Sequence, residues 1–252
     1  YVKGKSIPQL KELLTDKYDP DIIWFDTSSW LPKDYLQMIL STAREVADPK
    51  VIFNSRSASG FADYQSTTDR PKEIKPSDAR YWEAIPTTNE SYGYHKLDHS
   101  HKPASYFIEL LSKAAARGGN LLMNVGPKGD GTIDAVDVNI LKGIGKWLKV
   151  NGEAIYRTTK TPFPIQYWGQ TAVNKHKLYL HIHNYPKGSL ILGGLKNDIK
   201  MAYMLSDPEK NQLKITRLAS GDYKIGLPVA MRVETISVVA VECVGNVEYN
   251  GK

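Results

Sequence analysis

Apolar positions in the first 158 residues form short runs that alternate with longer stretches of helical spacing. The runs Asp21–Asp26 and Val51–Asn54 are apolar through their centres, which predicts strands buried on both faces. Two more strands are predicted over Ala79–Thr87 and Asn120–Val125. Helices are predicted over Ile7–Lys17, Pro32–Ala47, Pro103–Arg117 and Ala135–Val150. Strands that alternate with helices in this way indicate parallel β/α units.

The pattern changes after residue 158 to short strand-like runs separated by turn residues. These runs are Leu178–His183, Leu190–Leu192, Met201–Leu205, Leu213–Leu218 and Ile236–Val244. Such spacing is typical of a small antiparallel β-sandwich. The chain is therefore predicted to have two domains, over residues 1–158 and 159–252.

The first domain has too few strands for a complete barrel. An eight-fold TIM-type (β/α) barrel needs about 250 residues, whereas the first 158 residues offer four units. We interpret the fold as α/β, with only the later strands of such a barrel followed by the sandwich. The chain begins at Tyr1, and we expect a processed or truncated product. A missing N-terminal part, covalent in the parent or a separate chain, would complete the barrel.

Composition excludes several other classes of protein. Hydrophobic residues make up 41% of the chain and charged residues 24%, as in globular proteins. The net charge of +6 is spread along the chain, which argues against nucleic-acid binding. The single Cys243 permits no internal disulfide, and no apolar run has the length of a membrane span. The single cysteine is compatible with any compartment, and the expectation of a secreted, periplasmic or lysosomal protein rather than a cytoplasmic one does not come from composition.

Candidate catalytic groups follow the predicted strands, where parallel β/α folds place their functional side chains. Asp26 ends the first strand and is either a catalytic carboxylate or the N-cap of the next helix. Trp24 is either a sugar-stacking platform or a core residue. Arg56 is either a clamp for a polar ligand or a surface arginine.

Carboxylates and aromatic residues also follow the next strand. Trp82 and Glu83 precede the segment Asn89–Tyr94, which is rich in tyrosine. Glycoside hydrolysis needs two carboxylates and flat rings that bind sugar faces, so this combination favours carbohydrate chemistry.

Two other patterns are weaker indications. The glycine-rich segment Gly126–Gly131 lacks the arrangement of a phosphate-binding loop. His95, His99 and His101 could suggest a metal site, but no HExxH motif or cysteine pair accompanies them, and solvated loop histidines are the simpler interpretation.

Four motifs in order resemble the α-L-fucosidases of glycoside hydrolase family 29. They are Pro20-Asp-Ile-Ile-Trp-Phe-Asp26, Trp82-Glu83 with Thr88–Tyr94, Gly118–Pro127 with Gly129–Ile133, and Asn151–Tyr156. The run Leu178–Leu205 also resembles the family's C-terminal β-sandwich. The family's early His-His-Asp-Gly-Phe-like stretch, whose histidines bind fucose hydroxyls, is not in this sequence.

The resemblance implies a role for each matched residue. Asp26 matches the nucleophile, Trp24 lies beside it, and Arg56 matches an arginine that contacts fucose. Trp82 belongs to the matched Trp-Glu pair and is expected to contact the substrate. Tyr92 takes the position of an aromatic residue that faces the C5-methyl side of fucose, where Trp or Phe is commoner.

The proton donor is less well marked by the resemblance. Family members carry it in a variable loop, often as Glu in an Asp-Tyr-x-Thr-Pro-Glu context, which falls here on Thr68 with Asp69 next to it. We expect Asp69 to be the acid/base. Glu83 is the second candidate and could instead orient Arg56 or the sugar, and Asp63 and Glu90 remain as further candidates.

The resemblance implies double displacement with retention, on a fucosylated oligosaccharide or glycoconjugate. The two carboxyl groups would lie roughly 5–5.5 Å apart, and neither a metal nor an organic cofactor would be needed. The Thr88–Tyr94 version resembles more closely the family's subgroup that acts on α-1,3/1,4-linked fucose. The alternatives are a non-catalytic carbohydrate-binding protein on a degenerate hydrolase scaffold and an unrelated barrel hydrolase of another sugar.

Overall fold

The computed structural model describes residues 1–15, 17–57, 60–74, 77–232 and 235–251. The chain divides into two compact units. The first consists of Tyr1–Thr67 and Ser77–Glu83, and the second of Thr68–Pro76 and Ala84–Lys252. The domain boundary predicted at residue 158 stays a prediction.

The first unit contains two β/α repeats. Its elements are α1 (Ile7–Leu13), β1 (Ile22–Ile23), α2 (Lys33–Val46) and β2 (Ile52–Phe53). Strands β1 and β2 are parallel, as predicted, with Ile22 opposite Ile52. Helices and strands share an apolar core that includes Leu10, Ala43 and Phe53.

Only one face of this strand pair is covered. Ile23 packs against the helical core, whereas Ile22 is 48% exposed and Ile52 is 38% exposed. The prediction that these strands are buried on both faces is therefore wrong for the pair. Side chains alternate between the faces of a strand, so one face packs on α1 and α2 and the other is open.

Three further strands form a sheet in the order β3-β4-β5. They are β3 (Gln65–Asp69), β4 (Trp82–Ile85) and β5 (Asn120–Leu121). The chain passes from the first unit to the second within β3 and again within β4. Strand β3 was not predicted because its sequence, Gln-Ser-Thr-Thr-Asp, has no apolar residue.

The second unit contains two long helices at the predicted positions. Helix α3 spans Ala104–Ala116 and helix α4 spans Ala135–Asn151. The Asp134 side chain caps α4 by accepting a hydrogen bond from the Val136 amide at 3.0 Å. Gly118 follows α3 with φ of 73°, a backbone conformation that glycine adopts without strain.

The rest of the second unit consists of two antiparallel sheets. One has the order β6-β7-β12-β9 and the other the order β10-β11-β8. The strands are β6 (Gly169–Asn174), β7 (Lys177–Ile182), β8 (Ser189–Leu192), β9 (Ile199–Met204), β10 (Ile215–Arg217), β11 (Tyr223–Gly226) and β12 (Ser237–Cys243). Both sheets contribute to one apolar core, which includes Trp168, Leu180, Leu192, Ile225 and Val239.

The described residues thus combine helices with parallel and antiparallel strands, which makes the chain an α/β protein. No helix among them is both long enough and apolar enough to span a bilayer.

Candidate active site

Asp26 and Arg56 lie at equivalent places beyond neighbouring strands. Ile22 is opposite Ile52 in the parallel pair, and Asp26 and Arg56 each follow four residues later. Arg56 Nη1 donates a hydrogen bond to Asp26 Oδ1 at 3.1 Å. The register of the strands therefore brings the predicted nucleophile and the predicted arginine together.

The Asp26 carboxylate lies on the open face of the strand pair. Ile22, Trp24 and Asp26 alternate along the chain with Ile23 and Phe25, which pack on the helical core. The Asp26 side chain is 51% exposed. Its carboxylate can therefore meet a ligand from solvent, as a nucleophile requires.

A buried amide fixes the segment that carries Asp26. Asn54 is fully buried at the end of β2. Its Oδ1 accepts from the Phe25 amide at 2.7 Å, and its Nδ2 donates to the Phe25 carbonyl at 2.9 Å. The Asn54 side chain thus substitutes for a neighbouring strand and holds the backbone directly before Asp26. This role of Asn54 was not predicted, although an amide directly after a buried apolar run was a usable signal.

Glu83 orients Trp24. The Trp24 indole donates from Nε1 to Glu83 Oε1 at 2.7 Å. Ser66 Oγ donates to the same oxygen at 2.5 Å, and Tyr64 also hydrogen-bonds to Glu83. Burial, followed by the Glu83 charge, raises the pKa of Tyr64 to about 12, so Tyr64 remains a donor. Three donors around one carboxylate make Glu83 a hydrogen-bond acceptor in this arrangement.

Arg56 contacts both Asp26 and Trp24. Its guanidinium lies 5.0 Å from the centre of the Trp24 ring, and its Nη2 donates to the Thr67 carbonyl at 3.4 Å. The Arg56 side chain is only 20% exposed. Trp24, Asp26, Arg56 and Glu83 are therefore one connected group of side chains in the first unit, held by charge-assisted hydrogen bonds and a cation–π contact.

Trp82 differs from the other predicted substrate contacts. It is 2% exposed and belongs to the core. The alternation of side chains along β4 directs Trp82 and Glu83 to opposite faces of the strand. The role of Trp82 as a substrate contact stays a prediction.

The second unit carries the other two predicted site residues. Asp69 is the last residue of β3 and is exposed. Tyr92 adopts a left-handed backbone with φ of 61°, and its ring lies 4.4 Å from the Arg70 guanidinium. Asn124 Nδ2 donates to the Tyr92 carbonyl at 2.6 Å and so holds this loop in place.

Two alternative proton donors are held in ion pairs. Asp63 contacts Arg44 at 2.6 Å and accepts from the Phe53 amide at 2.7 Å. Glu90 contacts Lys102 at 2.5 Å, and this ammonium holds the pKa of Glu90 below its usual range. The Lys102 contact therefore favours the charged form of Glu90. The side chain of Thr68 lies outside the described part of the structure.

The three loop histidines do not gather around one point with other ligands. His101 Nε2 lies 3.3 Å from Asp137 Oδ1, and the His95 ring accepts from the Leu97 amide at 3.3 Å. Within the described ranges, no group of three or more His, Cys, Asp or Glu side chains could hold a metal ion.

Comparisons with known proteins agree with the four sequence motifs described above. The family model for alpha-L-fucosidase matches residues 1–153. The plasma alpha-L-fucosidase of Rattus norvegicus is 32% identical over 214 residues, which cover 75% of this chain and 45% of that protein. The chain thus spans about half the length of this curated relative.

Solved structures are similar over nearly the whole chain. An alpha-L-fucosidase from Vibrio sp. strain EJY3 has a TM-score of 0.84 and 28% identity, covering 99% of this chain and 46% of that one. A family 29 alpha-L-fucosidase from Bacteroides thetaiotaomicron, trapped as a covalent intermediate with 2-fluoro-fucosyl fluoride, has a TM-score of 0.80 and 25% identity. The match covers 94% of this chain and 60% of that chain. Since the family model matches more than half of its residues, the chain belongs to the alpha-L-fucosidase family.

Proposed function

We propose that the protein hydrolyses α-L-fucosides with retention of configuration, and that Asp26 is the nucleophile. The observation that carries this proposal is the Asp26–Arg56 pair, which holds an exposed carboxylate at the end of a parallel strand. Carboxylates at this end of parallel strands are the usual nucleophiles of barrel glycosidases.

The proposed reaction has two displacements. Asp26 attacks the anomeric carbon of fucose while an acid gives its proton to the leaving oxygen, which yields a fucosyl-enzyme ester. The same acid, now a base, then takes a proton from the water that releases fucose. We assign this acid/base role to Asp69. The covalent intermediate named for the Bacteroides relative supports the first step by analogy.

The other residues bind the sugar or position those that do. Arg56 fixes the Asp26 carboxylate and donates to fucose hydroxyls. The Trp24 ring, 36% exposed, offers an apolar face to the sugar. Tyr92 packs against the C5-methyl side of fucose, and Trp82 supports the substrate from β4. Glu83 holds Trp24 in place rather than giving up a proton.

We further propose that the chain supplies the later strands of a TIM-type barrel over residues 1–158 and a β-sandwich over residues 159–252. The open face of β1 and β2, with Ile22 and Ile52 exposed, fits the inner face of such a barrel. A preceding segment of the same protein would complete the barrel, since the chain covers 45% of the rat relative. The substrate is a fucosylated oligosaccharide or glycoconjugate.

For the linkage, we propose a preference for α-1,3/1,4-linked fucose, which rests on the Thr88–Tyr94 sequence. Initial rates on a Lewis-type trisaccharide and on 2′-fucosyllactose would measure it. Equal rates on the two substrates would remove the preference and leave the proposed activity intact.

The decisive experiment removes the nucleophile and then replaces it chemically. In the full-length protein, Asp26→Gly should abolish aryl-fucoside turnover, and azide should restore part of it by attacking the anomeric carbon in place of the carboxylate. The recovered product would be β-fucosyl azide, detected by proton NMR. Asp21→Ala, at the other end of the same segment, should leave turnover near the wild-type rate.

Three outcomes would contradict the proposal. Full activity of Asp26→Gly would exclude Asp26 as nucleophile. Fucose binding by a wild-type protein that turns over no fucoside would favour the non-catalytic carbohydrate-binding alternative. Hydrolysis of galactosides but not fucosides would favour a hydrolase of another sugar.

A further inference from the structure

A cavity lies in the second unit, and none of its lining residues has a role in the site described above. Its volume is about 650 Å³, within the range of small-ligand sites. One wall is the short helical turn Gly152–Ala154 with the residues that follow it, and the other is the turn between β6 and β7. The lining residues that matter below are Glu153, Tyr156, Arg157, Lys175, Lys177 and Tyr179.

The charged groups of this cavity are mostly positive. Lys177 is already paired, with Glu153 at 3.7 Å and Glu242 at 3.2 Å. Burial alone would lower the pKa of Lys177, but its contacts with Tyr203 and the two glutamates raise the pKa above its usual value, so it stays charged. The cavity is therefore lined by one partly buried ammonium that is held by two carboxylates.

Two further cations remain available for a ligand. Arg157 and Lys175 are both exposed at the cavity. Neither forms an ion pair with any carboxylate in the described part of the chain. Because Glu153 is the one acid among the described residues that line the cavity, the cavity attracts anions.

Both free cations stand on left-handed backbone. Arg157 has φ of 62° and Lys175 has φ of 54°. Residues with a side chain avoid this region, and glycine would be the default in such turns. Lys175 is the first residue of the two-residue turn between Asn174 and Lys177. Two-residue hairpin turns themselves require a positive φ at their first residue, whereas the positive φ of Arg157 lies outside a hairpin, and such positions cluster at ligand-binding sites.

Tyr156 provides a flat apolar surface beside these charges. Its ring packs on Gly152, where an added Cβ would lie 2.7 Å from Tyr156 Cε2. Tyr156 is nevertheless 58% exposed. Gly152 thus supports one part of the ring and leaves the rest free to contact a ligand.

We propose that this cavity binds an anionic sugar residue, a sulfated or carboxylated pyranose on a glycan. The Tyr156 ring would stack on the apolar face of the pyranose, while Arg157 and Lys175 bind its sulfate or carboxylate. The proposed glycan-binding cavity and the candidate active site share no residue. Glycan binding at the cavity therefore does not depend on Asp26 being a nucleophile.

Isothermal titration calorimetry on the purified protein with three probes tests the proposal. The probes are 3′-sialyllactose, 3′-sulfolactose and neutral lactose. At least one anionic probe should bind saturably, and lactose should bind at least about tenfold more weakly because it lacks the charge-assisted bonds. Binding of only one anionic probe would show whether the carboxylate or the sulfate is the natural group.

Variants connect binding to the cavity. Arg157→Ala and Tyr156→Ala should each weaken binding about fivefold to tenfold. Lys175→Gly should also weaken binding while keeping or raising the melting temperature, because glycine relieves the left-handed backbone. A purely structural lysine would change only stability. Lys210→Gly is the matched control, since Lys210 also has φ of 51° but does not line the cavity.

The proposal fails if neither anionic probe binds saturably at millimolar concentration, or if lactose binds equally well. It also fails if Lys175→Gly and Arg157→Ala both bind like the wild type. Loss of fucosidase activity in Asp26→Gly with unchanged glycan binding would separate the two sites.

Discussion

At the residue scale, Glu83 and Asp69 can be distinguished by conservative substitution. Glu83→Gln keeps an oxygen that accepts from Trp24 and Ser66, so we expect it to retain most of kcat. Glu83→Ala frees the Trp24 ring and should raise KM about tenfold, the effect of losing one charge-assisted hydrogen bond. Asp69→Asn should instead lower kcat on the order of 10²–10⁴-fold on natural glycans.

The leaving group provides the control for this prediction. The dinitrophenolate of a dinitrophenyl fucoside leaves without taking up a proton. Its first displacement should therefore tolerate Asp69→Asn far better than that of a glycan. Steady-state kinetics on both substrates measures the difference. If Glu83→Gln shows the large kcat loss and the leaving-group dependence, Glu83 is the acid and its assignment to Trp24 is wrong.

Part of the candidate site was predictable from local sequence and part was not. Asp26 and Arg56 each follow an apolar run, and the 30-residue offset between them equals the strand register, so their contact follows from parallel pairing. The Trp24–Glu83 bond joins residues 59 positions apart. No local pattern encodes this contact, because it depends on where β4 lies relative to the end of β1.

At the element scale, the β5 segment positions the loop that carries Tyr92. Asn124 holds the Tyr92 carbonyl, and a Cβ on Gly126 would lie 2.3 Å from the Tyr94 amide nitrogen. Since this contact is with backbone, the loop must shift to accommodate any side chain. We therefore expect Gly126→Ala to lower the free energy of unfolding by about 1–3 kcal/mol, as overpacking does, and to raise KM for fucosides.

Urea denaturation and fucoside kinetics measure this effect. Gly129→Ala is the control, because no atom lies within 4 Å of a Cβ at that position. Equal stability of the two variants would show that the close approach at Gly126 does not fix the loop.

Strands β3 and β6 were not predicted because neither has the apolar residues that mark a strand. Strand β6 (Gly-Gln-Thr-Ala-Val-Asn) has few large apolar side chains, yet residues 169–173 are buried. Its burial comes from its neighbours, since it pairs with β7 and packs against α3, and not from its own hydrophobicity. The helices were predicted to within one or two residues for α2, α3 and α4, because each has a clear apolar stripe and a defined start.

At the scale of the whole molecule, the second unit buries two neutral imidazoles in and beside strand β7. His181 is fully buried, and burial, helped by nearby His183, lowers its pKa to about 3. Burial likewise lowers the pKa of His183 to about 4. The His183 ring lies 3.1 Å from Ser112 Oγ, and Glu109 and Lys113 are the charged groups that act on it.

These histidines make stability depend on pH with a defined sign. Above an unfolded pKa of about 6.5, both rings are neutral in both states and do not affect the balance. As the pH falls below 6.5, both histidines become protonated in the unfolded chain. In the folded chain they stay neutral until the pH approaches their lowered pKa values, about 4 for His183 and about 3 for His181. Each histidine should therefore lower the free energy of unfolding by about 1.4 kcal/mol for every pH unit that the pH falls between 6.5 and 4.

Substitution isolates this contribution from that of the carboxylates. His181→Leu replaces the buried imidazole with an apolar side chain of similar size. It should remove the contribution of one histidine to the pH dependence of the unfolding free energy, and His183→Gln should remove that of the other. The exposed His99, changed to Gln, is the control because it lies outside the buried pair. Urea unfolding at pH 4.5, 5.5 and 7.5 gives the pH dependence of the unfolding free energy for the wild type and for each of the three variants. If His181→Leu and His183→Gln both keep the wild-type slope, the acid sensitivity arises elsewhere and the two imidazoles take up protons in the folded state.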